Sequence, residues 1–150
     1  MYYRLIVVMM LAGLSHASAQ SIDGYRAVKS KHSFSELQER VENATERHKM
    51  AQVMRVSASD GAKANGFAIK GDAVVGVFRN DFARRMLNAN IDAGIEAPIR
   101  LHLVEEADGT SSVRYYSPTS VFAKYPGADL RVMAAELDAI ISAIVQDAVE

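Results

Sequence analysis

From Tyr25 onward the apolar positions of this chain switch between a two-residue and a three-to-four-residue period, and the switches mark out its elements. Tyr25 to Ser30 alternates and predicts a strand, with Tyr25 and Ala27 on one face and Arg26 and Val28 on the other. Ser33-Phe34-Ser35-Glu36 has the spacing of a capping box, and Phe34, Leu37, Val41, Ala44 and His48 follow as one helical stripe. Gln52 to Ser59 predicts a second strand, after which Asp60-Gly61 and Asn65-Gly66 mark a loop. Asp72 to Phe78 is apolar on both parities, as in a central strand. Asn80 is placed to cap a helix that buries Phe82, Met86 and Ala89, with Gly94 near its stop.

Ile99–Glu105 and Ser111–Ser117 predict a hairpin, because Asp108-Gly109 between them tolerates the positive φ angles of a tight turn. Ser117-Pro118 then reads as a cap and first helical residue, and Pro126-Gly127 ends that short turn. From about Asp129 a last helix carries Leu130, Met133, Leu137, Ile140, Ile141, Ile144 and Ala148 on one side. Strands are too often adjacent, and helices too few, for a doubly wound parallel sheet. The expected class is therefore α+β, a mainly antiparallel sheet with helices on one face.

The first nineteen residues fit a different grammar. Arg4, the apolar run Leu5 to Leu14 and the small-residue Ala17-Ser18-Ala19 fit a secretory signal cleaved before Gln20, with an uncleaved anchor as the alternative. Residues 20–24 read as a polar lead-in and 25–150 as one domain. Removing residues 1–19 from 150 leaves 131, ample for a single core. The expected location is the periplasm or the exterior. With Arg4 gone, 16 basic residues face 18 acidic ones, a formal charge of −2 that argues against general affinity for nucleic acid or anionic membrane. The chain has no cysteine, which excludes disulfides, thiolate metal sites, cysteine nucleophiles, covalent c-type haem and a lipoprotein anchor.

Candidate chemistry comes from strand parity. If Leu101, Leu103, Val113 and Tyr115 face the helices, then Arg100, His102, Arg114 and Tyr116 face away. Turning Tyr25, Ala27, Met54 and Val56 inward sends Arg26 and Arg55 to the same outer side. One face would then gather four arginines, a histidine and a tyrosine. Such a cluster calls for anions, because neighbouring like charges repel. They could come from a small anionic ligand gripped by guanidinium forks, or from Glu105 or Glu106 of a second copy across a symmetric contact. The plain alternative is a solvated outer face.

Other chemistries find weaker footing. His32, His48 and His102 have no metal-ligand spacing, and His16 leaves with the signal. Noncovalent haem, or another cofactor serving an enzyme or redox accessory, would need an axial ligand between sheet and helices, for which Met54, Met86 and Met133 are available. The same methionines are ordinary core filler, and no motif demands a cofactor. Ser57, Ser59, Ser111, Ser112 and Ser117 form no nucleophile elbow, and Glu105 and Glu106 point to opposite faces of one strand. Gly61, Gly66 and Gly71 match no phosphate-binding pattern, and the Asn43-Ala44-Thr45 sequon lies inside a helix. No catalytic residue is assigned.

Several local features, taken in order, resemble a known family. Phe78 and Asn80 stand where that family carries Phe-Gly-Asn-Pro, Pro98-Ile99-Arg100 where it carries Leu-Pro-Leu-Arg, and Gly109, Tyr115 and Pro118 where its hairpin ends in an aromatic and a proline. From about Tyr25 to its end the chain resembles the bacterial domain of unknown function 302 family. Arg79 and Asp81 replace a Gly and a Pro, Ala97 replaces a Leu, and Ser59 or Asp60 stands where many members have a His. The resemblance implies a fold like half of a TATA-binding-protein domain, homodimers as among relatives, and no established reaction. The expected function is association: an exported, non-enzymatic homodimer with a small anionic ligand at the arginine face.

Overall fold

A computed structural model describes residues 23–150 of the chain. The expected signal segment, residues 1–19, and all but the end of the lead-in lie outside those residues. The elements run β1 (Tyr25–Ser30), α1 (Phe34–Arg47), β2 (Ala51–Ser57), α2 (Ala58–Ala64), β3 (Asp72–Phe78), α3 (Asn80–Ala89), a 3-10 helix (Ile91–Glu96), β4 (Ile99–Glu105), β5 (Ser111–Tyr116), α4 (Pro118–Phe122) and α5 (Ala128–Val149). All strand pairings are antiparallel, in the order β1-β5-β4-β3-β2. The architecture is the α+β class expected from the sequence.

One face of the sheet is dry. Val75, Val77, Leu101, Leu103 and Val113 are essentially inaccessible and pack beneath Leu37 and Val41 of α1, Phe82 and Met86 of α3, and Leu130, Met133, Ile141 and Ile144 of α5. Burying a branched or aromatic side chain of this kind contributes roughly 1.5–3 kcal/mol, so this layer dominates stability. Gly71 admits the layer's edge: a Cβ there would lie 2.3 Å from the ring of Phe34.

Local departures from expectation have physical causes. The Ser33 hydroxyl caps α1 by accepting from the Glu36 amide, but the Glu36 carboxylate turns to His32 Nδ1 at 2.7 Å instead of closing the box. The stretch after β2, expected as a loop, forms α2, whose start is capped by Ser57 Oγ accepting from the Asp60 amide at 3.0 Å. The residue before α3 is Arg79 rather than Asn80, and its guanidinium bonds Asp81 and covers the Phe82 ring at 4.3 Å. Among the described residues no helix is long and apolar enough to cross a membrane.

Candidate functional site

The opposite face of the sheet carries no helical layer over its middle. Its orientation follows from register. His102 lies opposite Arg114 on β5 and Val74 on β3, while its neighbours Leu101 and Leu103 are buried under the helices. Arg100, His102, Arg114 and Tyr116 therefore share the open side, as the hairpin's alternation predicted.

Arg26 and Arg55 do not join them. Val28 pairs with Val113 and Arg26 with Tyr115, so β1 is turned the other way: Arg26 sits on the helix side and Tyr25 on the open side. On β2 the register shifts between Gln52 and Met54, which sets Arg55 opposite the buried Val75. Arg55 reaches across to Gln38 of α1 at 2.6 Å and to Asp60 at 3.0 Å. Both are edge strands, where the helical layer runs out and a long charged side chain on the inner parity still reaches water. Apolar content alone misassigned the parity there.

The open face is thus a two-arginine surface, and most of its charge is answered within the chain. His102 Nε2 lies 2.8 Å from Asp72 Oδ2. Arg114 donates to Glu106 Oε1 at 2.8 Å, and Ser112 donates to the same oxygen. The Ser112 bond, with Arg114, holds the Glu106 carboxyl below the usual carboxylate range. The bond to Glu106 in turn raises Arg114, although burial opposes it. Glu106, which with Glu105 was one possible source of anions from a second copy, instead pairs with Arg114 across its own hairpin. Arg100 is exposed and, among the described residues, has no hydrogen-bonded or ion-paired partner.

Arg100 opens onto a groove of about 290 Å³ lined also by Tyr25, Val74, Glu96, His102, Arg114, Tyr116 and Val121. Its size is near the lower end of ligand pockets, roughly 300–1,000 Å³. Tyr25 and Tyr116, paired across β1 and β5, form an edge-to-face wall with ring centroids 5.6 Å apart. Gly76 of β3 leaves room for the Pro98 ring, since a Cβ there would stand 2.6 Å from Pro98 Cγ. Glu96 enters from the end of the 3-10 helix; its Oε1 accepts from Lys124 at 2.7 Å and from Tyr125 at 2.8 Å. Burial pushes the Glu96 carboxyl up, but those two bonds and the charges of Lys124 and Arg100 outweigh it, leaving Glu96 below the usual range.

Two of the groove's walls escaped the sequence reading. The alternation of β1 alone turns Tyr25 inward; the signal against that is Val28, which finds a valine partner only if β1 is flipped. Glu96 belongs to no periodic pattern. The methionines weighed as haem ligands do not converge: Met86 and Met133 line an apolar crevice of about 20 Å³ between sheet and helices, and Met54 pairs with Gly76 on the open face. That crevice is the size of a single water, so it does not fit a haem macrocycle.

A family model, Domain of unknown function DUF302, matches residues 26–148. The chain belongs to the DUF302 family. A solved structure described as the uncharacterized conserved protein DUF302 from Bacillus stearothermophilus is similar in fold, with a TM-score of 0.74 at 20% identity over 83% of this chain and 97% of that one. At that identity the likeness speaks to the shared DUF302 fold and not to what either protein binds. No curated protein matches the chain.

Proposed function

We propose that this DUF302 chain is an exported, non-enzymatic binding domain whose open sheet face takes a small organic anion. The observation that carries the reading is Arg100, a guanidinium with no hydrogen-bonded or ion-paired partner among the described residues, at an apolar and aromatic groove where Arg114 and His102 already hold carboxylates. A guanidinium fork matches a carboxylate geometrically, and the Tyr25–Tyr116 wall offers a flat aromatic surface to the body of the same ligand.

Calorimetric titration with 3-phenylpropionate tests this. Saturable one-site binding that weakens at least about tenfold in Arg100→Ala is expected, the value of one charge-assisted contact. Binding that is absent, or unchanged in that variant, rejects the reading. Export is tested by the mass of the protein recovered from the periplasm, which should begin at Gln20.

A second reading, a homodimer through the β2–β3 half of this face, is favoured by Val56, 62% exposed and paired with Val74. Light scattering should then give twice the chain mass, falling to one chain in Val56→Glu. A single-chain mass for the unaltered protein would reject it.

A further inference from the structure

Granting that the groove binds a carboxylate at Arg100, the charge at its other end narrows what the rest of the ligand can be. Glu96 lines the same groove and is itself only 9% exposed. Its Oε1 is occupied twice, by the Lys124 ammonium and the Tyr125 hydroxyl, while Oε2 has no partner among the described residues. Arg100 and Glu96 make no ion pair with each other. Glu96 and Arg100, a carboxylate and a guanidinium residue, thus line one small depression, with two tyrosine rings beside them.

We infer that the ligand is a zwitterion of the α-amino-acid class, its carboxylate on Arg100, its ammonium on Glu96 Oε2, and its side chain against Tyr25 and Tyr116. The carboxylate meets a guanidinium that has no ion-paired partner among the described residues, and the ammonium shares the Glu96 carboxylate with Lys124 through the oxygen that Lys124 and Tyr125 leave without a hydrogen bond. An ammonium on Oε2 adds a charge-assisted hydrogen bond that a simple carboxylic acid cannot supply. A second carboxylate at this end would meet Glu96 and be repelled, so dicarboxylates are disfavoured although the face carries two arginines. Lys124 competes with the ligand's ammonium for the same carboxylate and tempers the affinity.

The test compares phenylalanine with 3-phenylpropionate, which share a ring, a two-carbon chain and a carboxylate and differ by the ammonium. The unaltered chain should bind phenylalanine on the order of tenfold more tightly. Glu96→Gln should bring the ratio close to one while keeping 3-phenylpropionate binding. Lys124→Ala, a change at an exposed side chain, should widen the ratio and serves if Glu96→Gln does not fold. Equal binding of the two probes by the unaltered chain, or a ratio indifferent to both substitutions, overturns the zwitterion while leaving a carboxylate groove standing. Failure of both probes to bind overturns the groove itself and the zwitterion with it.

Discussion

Tyr25 and Tyr116 meet edge to face across β1 and β5, their ring planes at 64° and their centroids 5.6 Å apart. The pair exists because β1 pairs with β5 in a register that turns Tyr25 outward, and it forms one wall of the groove beside Arg100. Such pairs contribute roughly 0.5–1.5 kcal/mol beyond the area they bury. Tyr116→Leu should therefore lower the melting temperature slightly and weaken 3-phenylpropionate, while acetate, which has no ring to lay against the wall, should be unaffected. Equal losses for the two acids would assign Tyr116 a general structural part.

Arg114 and Arg100 stand on neighbouring strands of the open face, and Glu106 separates their roles by occupying the first. Replacing Glu106 by Gln removes that internal anion and should tighten 3-phenylpropionate several-fold, since a second guanidinium becomes available. Calorimetry on Glu106→Gln and on the double variant with Arg114→Ala checks this; the gain should vanish in the double variant.

Gly71 is a steric requirement of the helical side. Alanine there would place a methyl within 2.3 Å of Phe34 Cγ and 2.4 Å of Cδ1, in a ring that packs against the core. Urea denaturation of Gly71→Ala should show a loss of about 1–3 kcal/mol, the usual cost of overpacking. Phe34→Leu combined with it should recover part of that loss by giving the methyl room.

Acid should destabilise the fold through particular carboxyls. Glu106 is lowered by Ser112 and Arg114, Glu136 by the Arg85 bond, and Asp147 by the His48 ring, which ties α1 to α5 at 2.9 Å. A group whose pKa is depressed on folding binds fewer protons in the native state. Its stabilisation is whole above the ordinary value, 4.5 for Glu or 3.8 for Asp, and is lost as the pH falls through the lower folded value. Urea midpoints should accordingly decline below about pH 4.5, and Asp147→Asn should show a shallower decline than the unaltered chain.

Reading the sequence succeeded where alternation was reinforced on both sides of a turn. Leu101, Leu103 and Val113 repeat one parity around Asp108-Gly109, so the hairpin's orientation was legible, and β3 and β4 carry the boundaries expected of them. It failed at the sheet's edges. Arg26 and Arg55 occupy inner-parity positions that nevertheless reach water, and the irregularity between Gln52 and Met54 inverts β2 in a way no period of two can express. Charge pairing was equally hidden: nothing in the pattern announces Glu106, across the same hairpin turn, as the partner of Arg114 rather than a second copy's, and the Glu96–Lys124 contact joins segments with no shared motif.

The most direct measurement is a ¹H–¹⁵N spectrum of the chain titrated with 3-phenylpropionate, following the arginine Nε–H signals together with the backbone. Arg100 Nε should move most, with the Tyr25, His102 and Tyr116 amides moving on the same isotherm, while Arg26, Arg55 and Arg85 stay in place. Shifts centred on those three arginines, or no saturable shift at Arg100, would contradict a binding groove on the open face.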